Sequence, residues 1–194
     1  KGLTREEVAQ RAYEIERKVQ KGRASATDTF VSAFGGVVLI RGTEKKRLPP
    51  MNLPLVVGNS RVSHNTSLMV EKVSRERERH PGIVNPILDS IGAVTQEALL
   101  QLHDPRVLGM LMNTNHALLD ALGVGHPALT RLVVAARAAG AFGAKITGAG
   151  GGGCMIALAP SRAKGSVAGA IRSCDAQAIM TTLDTEGARK EKDA

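Results

Sequence analysis

Ten residues carry the strongest chemical signal in the chain: Lys145-Ile146-Thr147-Gly148-Ala149-Gly150-Gly151-Gly152-Gly153-Cys154. Glycine fills five of the six positions from 148 to 153. Such a run is costly in chain entropy. It makes sense where backbone must come very close to a ligand, or where successive N–H groups must point at an anion. The plain alternative is a flexible hairpin turn, but such turns need one or two glycines. Gly148, Gly150 and Gly153 fit the spacing G-x-G-x-x-G, with Asp175 near the place of a ribose-binding acid. That dinucleotide fingerprint must open a helix, whereas Cys154-Met155-Ile156-Ala157-Leu158 reads as a strand. No Gly-Lys-Ser/Thr follows the glycines, which excludes a Walker loop. A side chain at Gly150 is expected to block an approaching anion and to leave the fold largely intact.

The second signal is Asp28, in Ser25-Ala26-Thr27-Asp28-Thr29 at the end of a small-residue loop. In phosphoryl transfer to an alcohol, an acid beside the hydroxyl accepts or orients its proton. Asp is equally at home as a helix N-cap, and that reading stays open. Lys145 flanks the glycines and is read either as touching a phosphate or as a solvated surface lysine. The five histidines are scattered without metal-ligand spacing, and His116 reads as packed or solvated,. Asn113, Asn115 and Thr66 are polar residues whose spacing assigns them nothing.

Elements must hold these groups in place. Thr4 and Glu7 form a capping box ahead of a helix whose inner face is Val8, Ala12, Ile15 and Val19. Gly22 to Asp28 is a loop, Val37 to Ile40 a buried strand, and Arg41 to Pro50 a charged turn. Leu53 to Val57 is a second strand. Four helices follow: Ser67 to Arg79, with Leu68, Met69 and Val73 inside; Ile83 to Leu102; Pro105 to Leu122; and Pro127 to Ala139. Ala144 to Thr147 and Cys154 to Ala159 are strands around the glycine loop. Ser161 caps a helix reaching Cys174, Ala178 to Leu183 is a last strand, and Glu186 to Ala194 is a charged, frayed tail. Strands and helices are mixed without strict alternation, so the class is α+β, with a mixed sheet, a helical layer and the glycine loop joining two strands.

The 194 residues carry 26 Lys+Arg against 18 Asp+Glu, a formal charge of +8. Hydrophobic residues are 43%, which suits a globular chain, and aromatics only 2%,. With so few rings and none in a basic run, nucleic-acid binding is disfavoured and small anionic ligands are favoured. No apolar run reaches membrane-spanning length. Cys154 and Cys174 form no disulfide framework and fit a reducing cytosol. The chain does not begin with Met, which suits a fragment or a processed product.

Gly22 to Gly36 (GRASATDTFVSAFGG) and Ala138 to Cys154 (AAGAFGAKITGAGGGGC) closely resemble mevalonate kinases of the archaeal type, in the GHMP kinase superfamily. The resemblance extends through Val57-Gly58-Asn59-Ser60 and Leu118 to Ala144. It implies ATP-dependent phosphorylation of the 5-hydroxyl of mevalonate, with Asp28 as the catalytic aspartate. It places Thr147, Gly148, Ala149, Gly150, Gly151, Gly152 and Gly153 in a loop beside the transferred phosphate. It makes Glu16 the nearest match to the family's Mg²⁺-binding glutamate. It also implies a cytoplasmic homodimer acting on mevalonate and ATP, with no nucleic-acid or membrane partner. The family's loop Pro-x-x-x-Gly-Leu-Gly-Ser-Ser-Ala is not in this sequence, so the chain is expected to be the second half of such a kinase and inactive alone. On that expectation the amino-terminal domain ends at about residue 50, the carboxy-terminal domain runs from about 51 to 185, and 186–194 is a tail. The alternatives are another GHMP kinase, such as a phosphomevalonate or homoserine kinase, and a non-catalytic anion-binding half-kinase.

Overall fold

The computed structural model describes residues 2–19, 24–42 and 44–189. The chain divides into two units, residues 1–52 with 183–194, and residues 53–182.

In the first unit, helix α1 (Arg5–Val19) starts at the expected capping box. The Glu7 N–H donates to Thr4 Oγ1 at 3.2 Å, and the Glu7 carboxylate accepts from the Thr4 N–H at 2.7 Å. The bond from the Thr4 N–H, and a second from the Thr4 hydroxyl at 2.8 Å, hold the Glu7 carboxyl below its ordinary pKa,. The expected inner face is only half realised: Val8 and Ala12 are half-buried beside the buried Ala9, while Ile15 and Val19 are exposed. The reason is length. α1 packs on α2 (Thr27–Phe34), which has only 8 residues, so the last turns of α1 outrun it. Phe30 and Ala33 of α2 are buried, and Phe34 stacks on Phe30 with ring centroids 6.0 Å apart. Residues 22 and 23 of the loop expected before Asp28 lie outside the described residues.

Strand β1 (Val38–Arg41) pairs antiparallel with β2 (Glu44–Arg47), Arg41 facing Glu44. The segment expected to be a charged turn therefore contains a fully exposed strand, whose Glu-Lys-Lys-Arg sequence carries no alternation to reveal it. The segment expected to fray from Glu186 is bonded instead. Gly36 N–H donates to the Asp184 carbonyl at 2.6 Å, Ala188 N–H donates to Ala33, and the Arg47 guanidinium donates to the Thr185 carbonyl. Residues 190–194 of that tail lie outside the described residues.

The second unit runs β3 (Leu55–Asn59), α3 (Thr66–Arg79), α4 (Pro81–Leu100), α5 (Pro105–Ala121), α6 (Pro127–Ala138), β4 (Gly143–Ile146), β5 (Cys154–Leu158), α7 (Lys164–Arg172) and β6 (Gln177–Thr181). Ser161 opens a short 3-10 turn ahead of α7 and caps nothing. The sheet order is β4-β5-β3-β6, and every neighbouring pair is antiparallel. The class is α+β as expected, but the sheet is antiparallel throughout rather than mixed. Strand alternation turns Val56, Met155 and Ala157 to one side. There they meet Leu132 and Val133 of α6 and Val167 and Ile171 of α7 to form the main core. α3 buries no residue, and Leu68, expected inside, is exposed. Its charged face is self-compensated as expected, with Arg75 bonded to Glu71 at 3.0 Å.

α5 lies so close to β4 that a Cβ on Gly109 would sit 2.5 Å from the Phe142 carbonyl carbon. Asn113 then finishes the sheet edge. Its amide oxygen accepts from Ala144 N–H at 3.0 Å and its amide nitrogen donates to the Phe142 carbonyl at 3.4 Å, as a neighbouring strand would,. Among the described residues, no helix is long and apolar enough to cross a membrane.

Candidate functional site

The glycine loop joins β4 to β5, and Thr147 N–H closes it onto the Cys154 carbonyl at 3.0 Å. A strand follows the glycines, so the dinucleotide fingerprint is ruled out by structure as it was by sequence,. The loop is clamped from outside. Gly151 N–H donates to the Val124 carbonyl at 2.8 Å, and Gly153 N–H donates to the Val62 carbonyl at 2.9 Å. The Gly153 carbonyl accepts from both the Ser60 N–H and hydroxyl, at 2.9 and 2.8 Å.

These clamps explain most of the glycines. At Gly150, with φ +78°, a Cβ would overlap the Val124 carbonyl oxygen. One at Gly151 would lie 2.7 Å from the Met69 sulfur, one at Gly152 2.7 Å from the Val62 oxygen, and one at Gly153 2.8 Å from the His64 ring. The expectation that a side chain at Gly150 would spare the fold is thereby overturned, because what it meets first is the protein's own backbone. Gly148 differs. Its φ is +65°, it is exposed, and a Cβ there would meet nothing within 4 Å. No acceptor among the described residues takes the N–H of Gly148 or Ala149. The loop therefore offers its free amides at the tip, where a phosphate's oxygens can use them.

Asp28 is the second residue of α2, exposed to solvent. The N-cap is Ala26, which makes no side-chain cap bond. The capping reading of Asp28 therefore fails: a carboxylate inside the first turn gains only the positive end of the helix dipole. Glu16 is half-buried on α1, the helix packed against α2. Thr147 to Gly153 thus gather in one loop of the second unit, while Asp28 and Glu16 sit on paired helices of the first. Among the described residues, no group of three or more His, Cys, Asp or Glu side chains converges. The clamping residues Ser60, Val62, Met69 and Val124 carry no local signal, since each lies tens of residues from the loop it holds.

One residue beside the loop is unlike its sequence reading as a surface lysine. Lys145 is not a solvated surface lysine: it lines a pocket between α4 and α5, where burial pushes its pKa down,. His116 is buried in α5 as expected of a packed histidine. Burial pushes its pKa below 6.5, against the opposing pull of Asp120, whose carboxylate lies 3.4 Å from Nε2.

Residues 95–174 match the family pattern of the GHMP kinases C terminal. The chain is 45% identical to the mevalonate kinase of Thermococcus sibiricus across 97% of its own length and 58% of that protein. Its backbone superposes on the Methanococcus jannaschii mevalonate kinase with a TM-score of 0.81 at 28% identity, over 95% of this chain and 57% of that one. The L. major mevalonate kinase, solved in complex with R-mevalonate, gives 0.80 at 28% identity over 97% and 60%. The chain spans 58% of the length of that curated Thermococcus relative. By this family pattern the chain carries the C-terminal domain of the GHMP kinases, and by identity and backbone agreement it is similar to mevalonate kinases.

Proposed function

We propose that this chain serves a mevalonate kinase, in which the γ-phosphoryl group of ATP passes to the 5-hydroxyl of mevalonate. The observation that carries the reading is 45% identity to a mevalonate kinase across 97% of the chain.

The chemistry of the residues supports the roles. Phosphoryl transfer asks mostly for positioning and charge stabilisation. The exposed Asp28 carboxylate accepts or orients the proton of the attacking hydroxyl. The open N–H groups of Gly148 and Ala149 face the transferred phosphoryl oxygens, on a loop whose rear is fixed by Val124 and Val62. Mg²⁺ prefers carboxylate and phosphate oxygens, so Glu16 suits it as a ligand by donor type. When bound, the ion neutralises charge developing between the phosphates.

The test is coupled ADP release by the full-length gene product carrying this chain, offered mevalonate, phosphomevalonate and homoserine in turn. Turnover is expected with mevalonate. Turnover with one of the others and none with mevalonate would overturn the assignment.

A further inference from the structure

One pocket that the kinase reading leaves unused brings an ammonium to an apolar wall. It lies between α4, α5 and β4 and measures about 180 Å³. Val94, Ala98, Leu111 and Met112 form its apolar wall, and Asn115 and Lys145 bring polar groups to it. The Thr95 hydroxyl, also at the rim, is committed to the Ile91 carbonyl at 2.9 Å. Ala144 and Ile146 turn into the core beneath α6, so strand alternation sends Lys145 the other way, into this pocket,.

Lys145 has no counter-charge here. Among the described residues no hydrogen bond or ion pair engages its ammonium, and no Asp or Glu lines the pocket. The titratable neighbour on α5 is His116, held neutral by burial, and the carboxylate of Asp120 is directed at that ring. Asn115 is buried, and its side-chain amide bonds nothing else among the described residues. A half-buried ammonium without a partner carries a desolvation cost, and an anion entering the pocket would relieve it,.

We propose that this pocket binds a short-chain monocarboxylate, with its carboxylate on Lys145 and Asn115 and its alkyl chain against Val94, Ala98 and Met112. One ammonium and one amide match the two oxygens of a carboxylate, whereas a phosphate dianion would call for a second cation that the lining lacks. The pocket is smaller than the roughly 300 Å³ at which drug-sized sites begin, which limits the tail to a few carbons. The proposal does not rest on kinase activity.

The probe is hexanoate, titrated calorimetrically into the 194-residue chain. Saturable binding is expected, carried by the Lys145 ammonium and the Asn115 amide. Hexan-1-ol, which keeps the tail without the charge, and inorganic phosphate, which keeps charge without the tail, should each bind at least about tenfold more weakly. Lys145→Met should weaken hexanoate about tenfold to a hundredfold, the usual worth of a charge-assisted hydrogen bond. The same variant should melt no lower than the parent, since it replaces an uncompensated charge with an apolar chain of similar length. The proposal is overturned by absence of saturation, by equal binding of phosphate or hexan-1-ol, or by undiminished binding in Lys145→Met. A lower melting point for that variant would also overturn it, by showing that the ammonium already has a partner in the fold.

Discussion

The glycine loop and the Asp28 helix present their groups in opposite ways. The loop is backbone held by backbone: Val124 and Val62 take its N–H groups, and four of its glycines are so closely backed that a Cβ would collide with a neighbour. Asp28 is a side chain on an 8-residue helix, exposed and free of any capping duty. The loop therefore couples function to folding, because its positions are needed by the protein before any ligand arrives. At Asp28 the two are separable. Glycine content by itself thus says little about ligand approach, and within the loop only Gly148 combines a left-handed φ with open space.

This contrast can be broken at four places. In the full-length gene product, Asp28→Asn is expected to lower kcat by roughly 10² to 10⁴, the usual loss of a general base. KM for mevalonate and the melting temperature should barely move. Near-normal turnover would take the acid out of the mechanism. Next in size, Gly150→Ala should destabilise the chain by about 2–4 kcal/mol, through strain and overlap with the Val124 carbonyl. An unchanged thermal midpoint would show that the loop is not clamped as described. Gly148→Ala, with the same kind of φ but no obstructing atom, should cost only about 1 kcal/mol of stability. If the tip amides serve phosphate, it should nonetheless slow ADP release, and a variant as active as the parent would move the anion elsewhere.

The smallest effect is a pH dependence. His116 has a folded pKa below 6.5, so between the two values the unfolded chain binds more protons and stability rises with pH,. The contribution is fully present above 6.5 and is lost as acidification passes through the folded value. His116→Phe should flatten the melting temperature over that acid window. An equally steep dependence in the variant would place the titration on another group.

Several elements were legible because their signals are local. The capping box needs only Thr4 and Glu7, and the strands around the glycines are short apolar runs with unambiguous ends. α2 escaped because 8 residues give barely two turns, too few for periodicity to register,. β2 escaped because exposed Glu-Lys-Lys-Arg has no apolar face. At the candidate site, the residue types of the loop were readable but not the cause of its glycines. That cause is Val124, Met69, Val62 and His64, brought there by the fold. The environment of Lys145 was hidden for the same reason, since a strand's alternation does not reveal what covers its second face.

The antiparallel sheet has a consequence in time. Asn59 ends β3, yet its partners across the sheet are Cys154 and Gln177. At about 5–20 residues per second, a ribosome needs some seconds to supply those partners after β3 has emerged. Throughout that interval the central strand of the sheet has both edges bare, while four helices are made that it cannot yet use as a roof. The sheet therefore closes late, β5 and then β6 docking on a strand made well before either of them.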